Sequence, residues 1–489
     1  MRMKIAVSFC LVVISFGVFA QSDSTNMSVL TFEQAVKIAL ENSVNLNTQR
    51  NNLQLSEAQR LAGYAGLAPT VNASASAARN DGNFFNSNTG QVVNGVTDNV
   101  SGSVSINLNL FSGFNQINTI RQFSSQLQAQ NYLVHRTAQD AINTVSTQYL
   151  TVMLDKELLI IAKENYEALN KQYQQIKEQV VLGAKSPVDE YNQEAQARAA
   201  ELRAIQAEIR LNNDKAILAQ TLLLDPFELF DVERPSWDVN AFDTDALNAE
   251  ELAERAKRSR GDYLNAVKTA DAQRYSMYAA RGLMLPSLSA FFNVRSAYNR
   301  PQGVPDSVEN FRSIIVVDPT AASGYGFGSE SLGFQANPEV PRPFEEQFRR
   351  NNLQKTFGFQ LTIPIFNGLQ TRTNYVQRKI QYKNAQLTRN NLEYQVRNDV
   401  IRAIRNYEGA KRAFSVTSDQ LKAAELAFRY ETERYNLGVT NFVEYANANR
   451  VYVQAQTDKA QAEYTLVFQK IVLEYAVGTL KTESTSMQN

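Results

Sequence analysis

From Phe114 to Leu182 the chain runs without a single glycine or proline, and Leu369 to Leu437 repeats the pattern with Gly409 as the one exception. At about 1.5 Å per residue each stretch makes a helix roughly 100 Å long, well beyond the roughly 8 to 20 residues of ordinary globular helices. Within the first, Ile142, Val145, Tyr149, Val152, Leu159, Ala162, Tyr166, Leu169, Tyr173, Ile176 and Val180 step by threes and fours, skipping one position near Asp155 and Lys156. A period near 3.5 predicts a coiled-coil seam.

The long helices belong to a wider self-similarity. Leu30, Glu33, Ala39 and Pro69 recur as Leu247, Glu250, Ala256 and Pro286, all at one constant displacement and without a gap. Leu108, Leu110, Phe111, Gly113, Leu182, Gly183 and Val188 recur as Ile363, Ile365, Phe366, Gly368, Leu437, Gly438 and Val443, again at one displacement, but a larger one. The difference falls between Pro286 and Phe366, in a lengthened connector at about 298–353. The chain therefore reads as two tandem repeats in an α+β fold. The first, 30–226, has a helix, strands at about 69–80 and 99–111, a long helix 114–182 and a helix 187–224. The second, 247–480, has a helix, strands at about 286–297 and 354–366, a long helix 369–437 and a helix 442–478. A linker at 227–246, with Pro235 and Trp237, joins them, and a tail at 481–489 follows.

The helix ends are encoded locally. Leu182 and Gly183 end one helix with glycine at the left-handed position, and Ser186, Pro187 and Asp189 supply cap, first-turn proline and first-turn acid for the next. Gly438, Asn441 and Glu444 repeat the arrangement. Thr31 with Gln34, and Asn248 with Glu251, predict capping boxes at the two repeat starts.

Between them lie period-two segments. Val104, Ile106, Leu108 and Leu110 alternate with Ser105, Asn107 and Asn109, and Phe357, Phe359, Leu361, Ile363 and Ile365 with Gly358, Gln360 and Thr362. Val71, Ala73 and Ala75 oppose Asn72, Ser74 and Ser76, while Leu288, Ala290, Phe292 and Val294 oppose Ser287, Ser289 and Asn293, with Phe291 breaking the pattern. Strands of about ten residues can cross an outer membrane when tilted. Four cannot close a barrel, and open edges are not tolerated in lipid, so a barrel must be shared between chains.

Composition narrows the function. Met1, Arg2, Met3 and Lys4, an apolar run from Ile5 to Phe19 and Ala20 before Gln21 predict a signal peptide at 1–20. The single cysteine, Cys10, lies inside it, leaving no thiol chemistry. Lys plus Arg and Asp plus Glu balance at 49 each, which excludes the basic field of nucleic-acid binding. His135 stands alone, so no metal site is expected. Gly324, Gly326 and Gly328 lack the strand and helix that a phosphate loop needs. No catalytic set and no cofactor site can be assembled.

In this setting Leu30-Thr31-Phe32-Glu33-Gln34-Ala35, Ala39-Leu40-Glu41-Asn42 and Leu67-Ala68-Pro69 resemble the start of TolC-like outer-membrane efflux proteins. Leu110-Phe111-Ser112-Gly113 and Pro364-Ile365-Phe366-Asn367-Gly368 resemble the family's strand-to-helix junctions, and Leu182-Gly183 and Arg434-Tyr435-Asn436-Leu437-Gly438-Val439 its periplasmic tips. The resemblance covers nearly the whole chain. It implies a homotrimer in the outer membrane of a Gram-negative cell, a shared twelve-stranded β-barrel in lipid and a periplasmic α-helical tunnel. It also implies a periplasmic adaptor docking on Leu182, Gly183, Leu437, Gly438 and Val439, and an inner-membrane pump or exporter that supplies the energy. Better-known members carry two carboxylates just after the second turn, at a closed entrance; here the positions are Glu444 and Asn447, and the first hairpin offers Asp189. Helix capping alone also accounts for Asp189 and Glu444. Small-molecule efflux is the expected role, with protein export as the alternative. A trimeric adhesin predicts one unidirectional stalk and a C-terminal barrel, whereas here strands interrupt helices twice.

Overall fold

The computed structural model describes residues 28–86, 91–225, 230–234, 248–302 and 343–480. The expected signal peptide, Pro235, Trp237, the Gly324–Gly328 run and the tail lie outside these residues. The chain divides into two compact units, one of Met1–Asn47, Ala138–Leu252 and Val400–Asn489, the other of Thr48–Thr137 and Ala253–Asp399.

The long helices α3 (Asn115–Val181) and α8 (Gln370–Asn436) are each 67 residues. Their partners α4 (Pro187–Leu222) and α9 (Phe442–Val477) are each 36 residues. Every boundary of α8 and α9 follows its counterpart in α3 and α4 at the same displacement that carries Gly183 to Gly438. The opening helices are each broken in two, which the periodicity does not predict. Helices α1 (Phe32–Asn42) and α2 (Val44–Ala65) meet at Ser43, and α5 (Ala249–Ser259) and α6 (Gly261–Gly282) meet at Arg260, the equivalent position of the second repeat. The predicted Thr31–Gln34 capping box forms, and Asn248 accepts the Glu250 N–H at 3.0 Å.

The first unit holds a short parallel pair, β1 (Ser28–Leu30) with β4 (Phe230–Val232), the latter within the segment expected as linker. Tyr149 of α3, fully buried, places its hydroxyl 2.9 Å from the Leu30 carbonyl and 2.7 Å from that of Glu233, fastening both strands to the helix. Val145, Val152, Leu218 and Leu222 close the core around it. Lys156 and Lys215 both reach the Asp231 carboxylate, at 2.6 and 3.1 Å. The position skipped by the apolar seam is Asp155, only 4% exposed, with its Oδ2 buried and without a hydrogen-bond partner among the described residues.

The second unit holds a four-stranded antiparallel sheet in the order β2-β3-β5-β6. Strands β2 (Thr70–Asn86) and β3 (Gln91–Ser112) run beyond the expected bounds, as does β5 (Ser287–Gln302), whereas β6 (Gln354–Thr362) stops earlier. Pairing from Thr70↔Asn107 to Asn86↔Gln91 carries the first hairpin through a mixed run, 81–86 and 91–98, whose polar and apolar residues do not alternate. Beyond Thr362, Pro364 has no N–H for a ladder. The register lines up Ala73, Val104, Val294 and Lys355 on one face, and Val71, Ile106, Phe292 and Phe357 in the next row. On the other face Ser74 bonds Ser103 at 2.8 Å and Ser76 bonds Ser101 at 2.7 Å. The anomalous Phe291 pairs with Gly358, where an added Cβ would sit 3.0 Å from the ring, so the aromatic side chain covers a bare strand position. Gly113 and Gly282 pack backbone on backbone at the strand-to-helix junction: a Cβ on Gly113 would lie 2.1 Å from the Gly282 carbonyl oxygen.

Among the described residues no helix is long and apolar enough to cross a membrane.

Candidate functional site

Both helical turns predicted from sequence belong to the first unit. Gly183 (φ 73°) and Gly438 (φ 74°) take the left-handed conformation in which a side chain would strain the backbone. The bonds around them match: Gly183 N–H to Val180 O at 3.0 Å and Ala184 N–H to Gln179 O at 2.8 Å, Gly438 N–H to Tyr435 O at 3.1 Å and Val439 N–H to Arg434 O at 2.9 Å. This double closure satisfies carbonyls that a helix end otherwise leaves bare. Leu182 and Leu437 project at the turns, 82% and 78% exposed, with Val439 also open. Two apolar ends are thus held to water by rigid turns, a cost that a partner surface would remove.

Asp189 accepts a hydrogen bond from the Ser186 N–H at 3.3 Å, completing a capping box under Pro187. Glu444 differs. Asn441 accepts its backbone N–H at 3.0 Å, and its exposed carboxylate has no hydrogen-bond partner among the described residues. Glu444 and Asn447 lie one helical turn apart on the open face of α9, and Arg450, a further turn on, donates to the Asn447 Oδ1 at 2.9 Å. The face therefore carries a carboxylate, an amide and a guanidinium in succession.

Sequence reasoning missed Arg450, and also the contacts between the turns. Lys185 sits 5.1 Å from the Tyr435 ring centroid, and Tyr435 stacks on Tyr445 at 5.0 Å. Tyr445 is buried, and Asn449 donates to Asn165 of α3 at 3.1 Å. Burial pushes the Tyr435 phenol upward, and the negative charge of Asp189 adds to the shift, so the ring stays neutral and able to receive the lysine cation on its face. A lysine in the first turn gives no signal in one dimension that a ring in the second repeat is its partner.

His135 is exposed in α3, and among the described residues no group of three or more His, Cys, Asp or Glu side chains could hold a metal.

The model of the outer membrane efflux protein family matches residues 35–222 and 323–479, most of the chain and both repeats. The chain belongs to the outer membrane efflux protein family. It is similar to the outer membrane efflux protein BepC of Brucella suis biovar 1 (strain 1330), with 21% identity over 461 residues, covering 94% of this chain and 87% of the relative. Its fold is similar to that of the outer membrane protein VceC from Vibrio cholerae, at a TM-score of 0.73 and 13% identity, covering 92% of this chain and 97% of that one. The Campylobacter jejuni CmeC outer membrane channel gives a TM-score of 0.72 at 15% identity, covering 99% and 97%. As a family member the chain is an exit duct for efflux in a Gram-negative outer membrane, and its family and fold are those of channel proteins that work with an adaptor and an inner-membrane pump.

Proposed function

We propose that three copies of this chain share one barrel and one helical tunnel that conducts small molecules delivered by a periplasmic adaptor and an inner-membrane pump, and that the chain itself catalyses nothing. The observation that carries the assembly is a mismatch between the repeats. Within the chain, Asn115 of α3 donates to Ala279 O of α6 at 2.8 Å and Asn265 of α6 donates to Ala129 O of α3 at 2.7 Å. Displacing each helix by its repeat offset sets Gln370 of α8 opposite Ala62 of α2, and no hydrogen bond joins that pair within one chain among the described residues. The same displacement sets Asn384 opposite Thr48. The α2 face is open accordingly: Leu55 is 56% exposed, whereas its counterpart Ala272 in α6 is 4% exposed. The α8 of a second copy supplies what is missing. Strands β2 and β6 are likewise the two ends of the sheet, and pairing them between copies removes edges that lipid does not tolerate. Three copies give the twelve strands implied by the resemblance.

At the turns, Leu182, Gly183, Leu437, Gly438 and Val439 receive the adaptor, and Glu444, Asn447 and Asp189 border the periplasmic gate. Asp189 acts there chiefly as a cap, and Glu444 is the free charge. The Lys185–Tyr435 contact holds the turns together in the resting state. Intracellular accumulation of a fluorescent pump substrate, compared with and without the gene in energised cells, tests the role. Small-molecule efflux predicts higher accumulation on deletion and restoration by the wild-type gene; unchanged accumulation favours protein export.

A further inference from the structure

The segment after the long connector has a place on the sheet that the channel function does not require. Helix α7 (Phe344–Glu346) runs directly into a π-helical turn, Gln347–Asn351, lying against the sheet. Its ring Phe348 rests on Gly102, where a Cβ would sit 3.0 Å from the ring tip. Ser296 donates to the Phe348 carbonyl, and Asn352 donates to Ala297 O at 2.6 Å. Phe344 stacks on Phe348 at 5.1 Å and meets Tyr298 edge-on at 5.2 Å.

Gly102 and Ser296 are paired residues on the face that also bears Val104, Val294, Ile106 and Phe292. That is the apolar face, the one a barrel turns to lipid. From Leu288 to Ser296 the face advances along β5 by about 26 Å of strand, and by about 20 Å of height at a tilt near 40°. The segment therefore crosses the sheet where an apolar band of about 25 Å ends. Beyond it the same face turns ionic, with Arg79 bonded to Asp98 at 2.6 Å. This end of the sheet carries the β2–β3 turn, opposite the end joined to α2 and α6, and so belongs to the outer leaflet.

Beside the segment lies an open pocket of about 520 Å³ lined by Ala73, Val104, Val294, Phe348, Arg349 and Leu353. Its floor is continuous with the lipid-facing rows below. Lys355, cross-strand partner of Val294, stands in one of those rows with no ionic partner among the described residues, and Arg350 likewise has none. Among the described residues Arg349 is tied only to Glu345, across an exposed pair at 3.1 Å, which contributes little. A cation in a lipid-facing row is expensive unless an anion reaches it.

Resting on the barrel reading above, we propose that this cavity is a binding site for an outer-leaflet phosphorylated lipid: one acyl chain fills the space between Val104, Val294 and Phe348, and Arg349, Arg350 and Lys355 hold the phosphate. The segment supplies one wall of this open site through Phe348, Arg349 and Leu353. Purified protein is reconstituted with lipopolysaccharide and phospholipid, re-extracted, and the retained lipid counted by native mass spectrometry for wild type, the Arg350→Glu/Lys355→Glu variant and Val294→Trp, which fills the cavity. Single-channel conductance serves as the control for insertion. The site predicts about one retained phosphorylated lipid per chain in wild type and at least a tenfold loss in both variants, with conductance unchanged. Equal retention in all three, with normal conductance, overturns the site and leaves the channel standing. A wild-type protein that neither inserts nor conducts overturns the barrel reading, and the site with it.

Discussion

Gly113 and Gly183 both hold a positive φ, 60° and 73°, but only one is crowded. Around Gly183 nothing lies within 4 Å of an added Cβ, whereas at Gly113 that atom falls 2.1 Å from the Gly282 oxygen and 2.8 Å from the Leu285 Cβ. Gly183→Ala therefore meets only the backbone term, about 1–2 kcal/mol for an L-residue held in the left-handed region. Gly113→Ala meets the same term and must also push two backbones apart, an overpacking cost of about 1–3 kcal/mol. The expected total is about 2–5 kcal/mol, large against the stability of an ordinary domain. Thermal unfolding in detergent, followed by circular dichroism with the yield of folded protein as a second readout, separates the two. Equal midpoints for Gly113→Ala and Gly183→Ala would refute the backbone-contact argument at the junction.

Other outcomes follow from the first unit. Burial pushes the Asp155 carboxyl up to about 7, and the neighbouring Asp214 reinforces the shift through its charge. A folded-state value above the unfolded one means stability fully present below about pH 4 and lost as pH rises through about 7; Asp155→Asn should flatten that decline in unfolding midpoint, and parallel pH profiles for the two proteins would remove the assignment. Replacing Lys185 by Gln deletes a cation–π contact of about 0.5–1 kcal/mol, so the open-channel population in planar bilayers should rise roughly two- to fivefold; no change would show that the turns are held by other contacts. Glu444→Gln should raise single-channel conductance or alter block by divalent cations, and identical currents would reduce Glu444 to a first-turn acid.

The repeats, the helix lengths and the turns were legible because each rests on local rules that translation along the chain preserves. Glycine at 183 and 438, Ser186 and Asn441 act within a few residues of themselves, and the constant displacement read from side chains reappears in every boundary of α8 and α9. The break at Ser43 was hidden because Asn42, Ser43 and Val44 include no proline or glycine, whereas at Arg260 the adjoining Gly261 was a local signal that the apolar periodicity does not register. Strand β4 was hidden because so short a strand carries no period, and what holds it, the Tyr149 hydroxyl and two lysines on Asp231, comes from distant segments. The site divides the same way: Asp189 and Glu444 are near-neighbour features, but only the fold shows that one carboxylate is used as a cap while the other is open, with Arg450 further along the same face.

In the proposed assembly the chain completes itself with copies of itself. The only cysteine in the sequence is Cys10, so introduced pairs can be read without background from the rest of the chain. Two differently tagged forms, one carrying Thr48→Cys and the other Asn384→Cys, would be co-expressed, oxidised in the membrane and separated without reductant. The repeat geometry predicts a disulfide between the two tags and, when both cysteines are placed in one chain, a ladder that stops at three. Monomers alone, from protein that still conducts, would contradict the shared barrel.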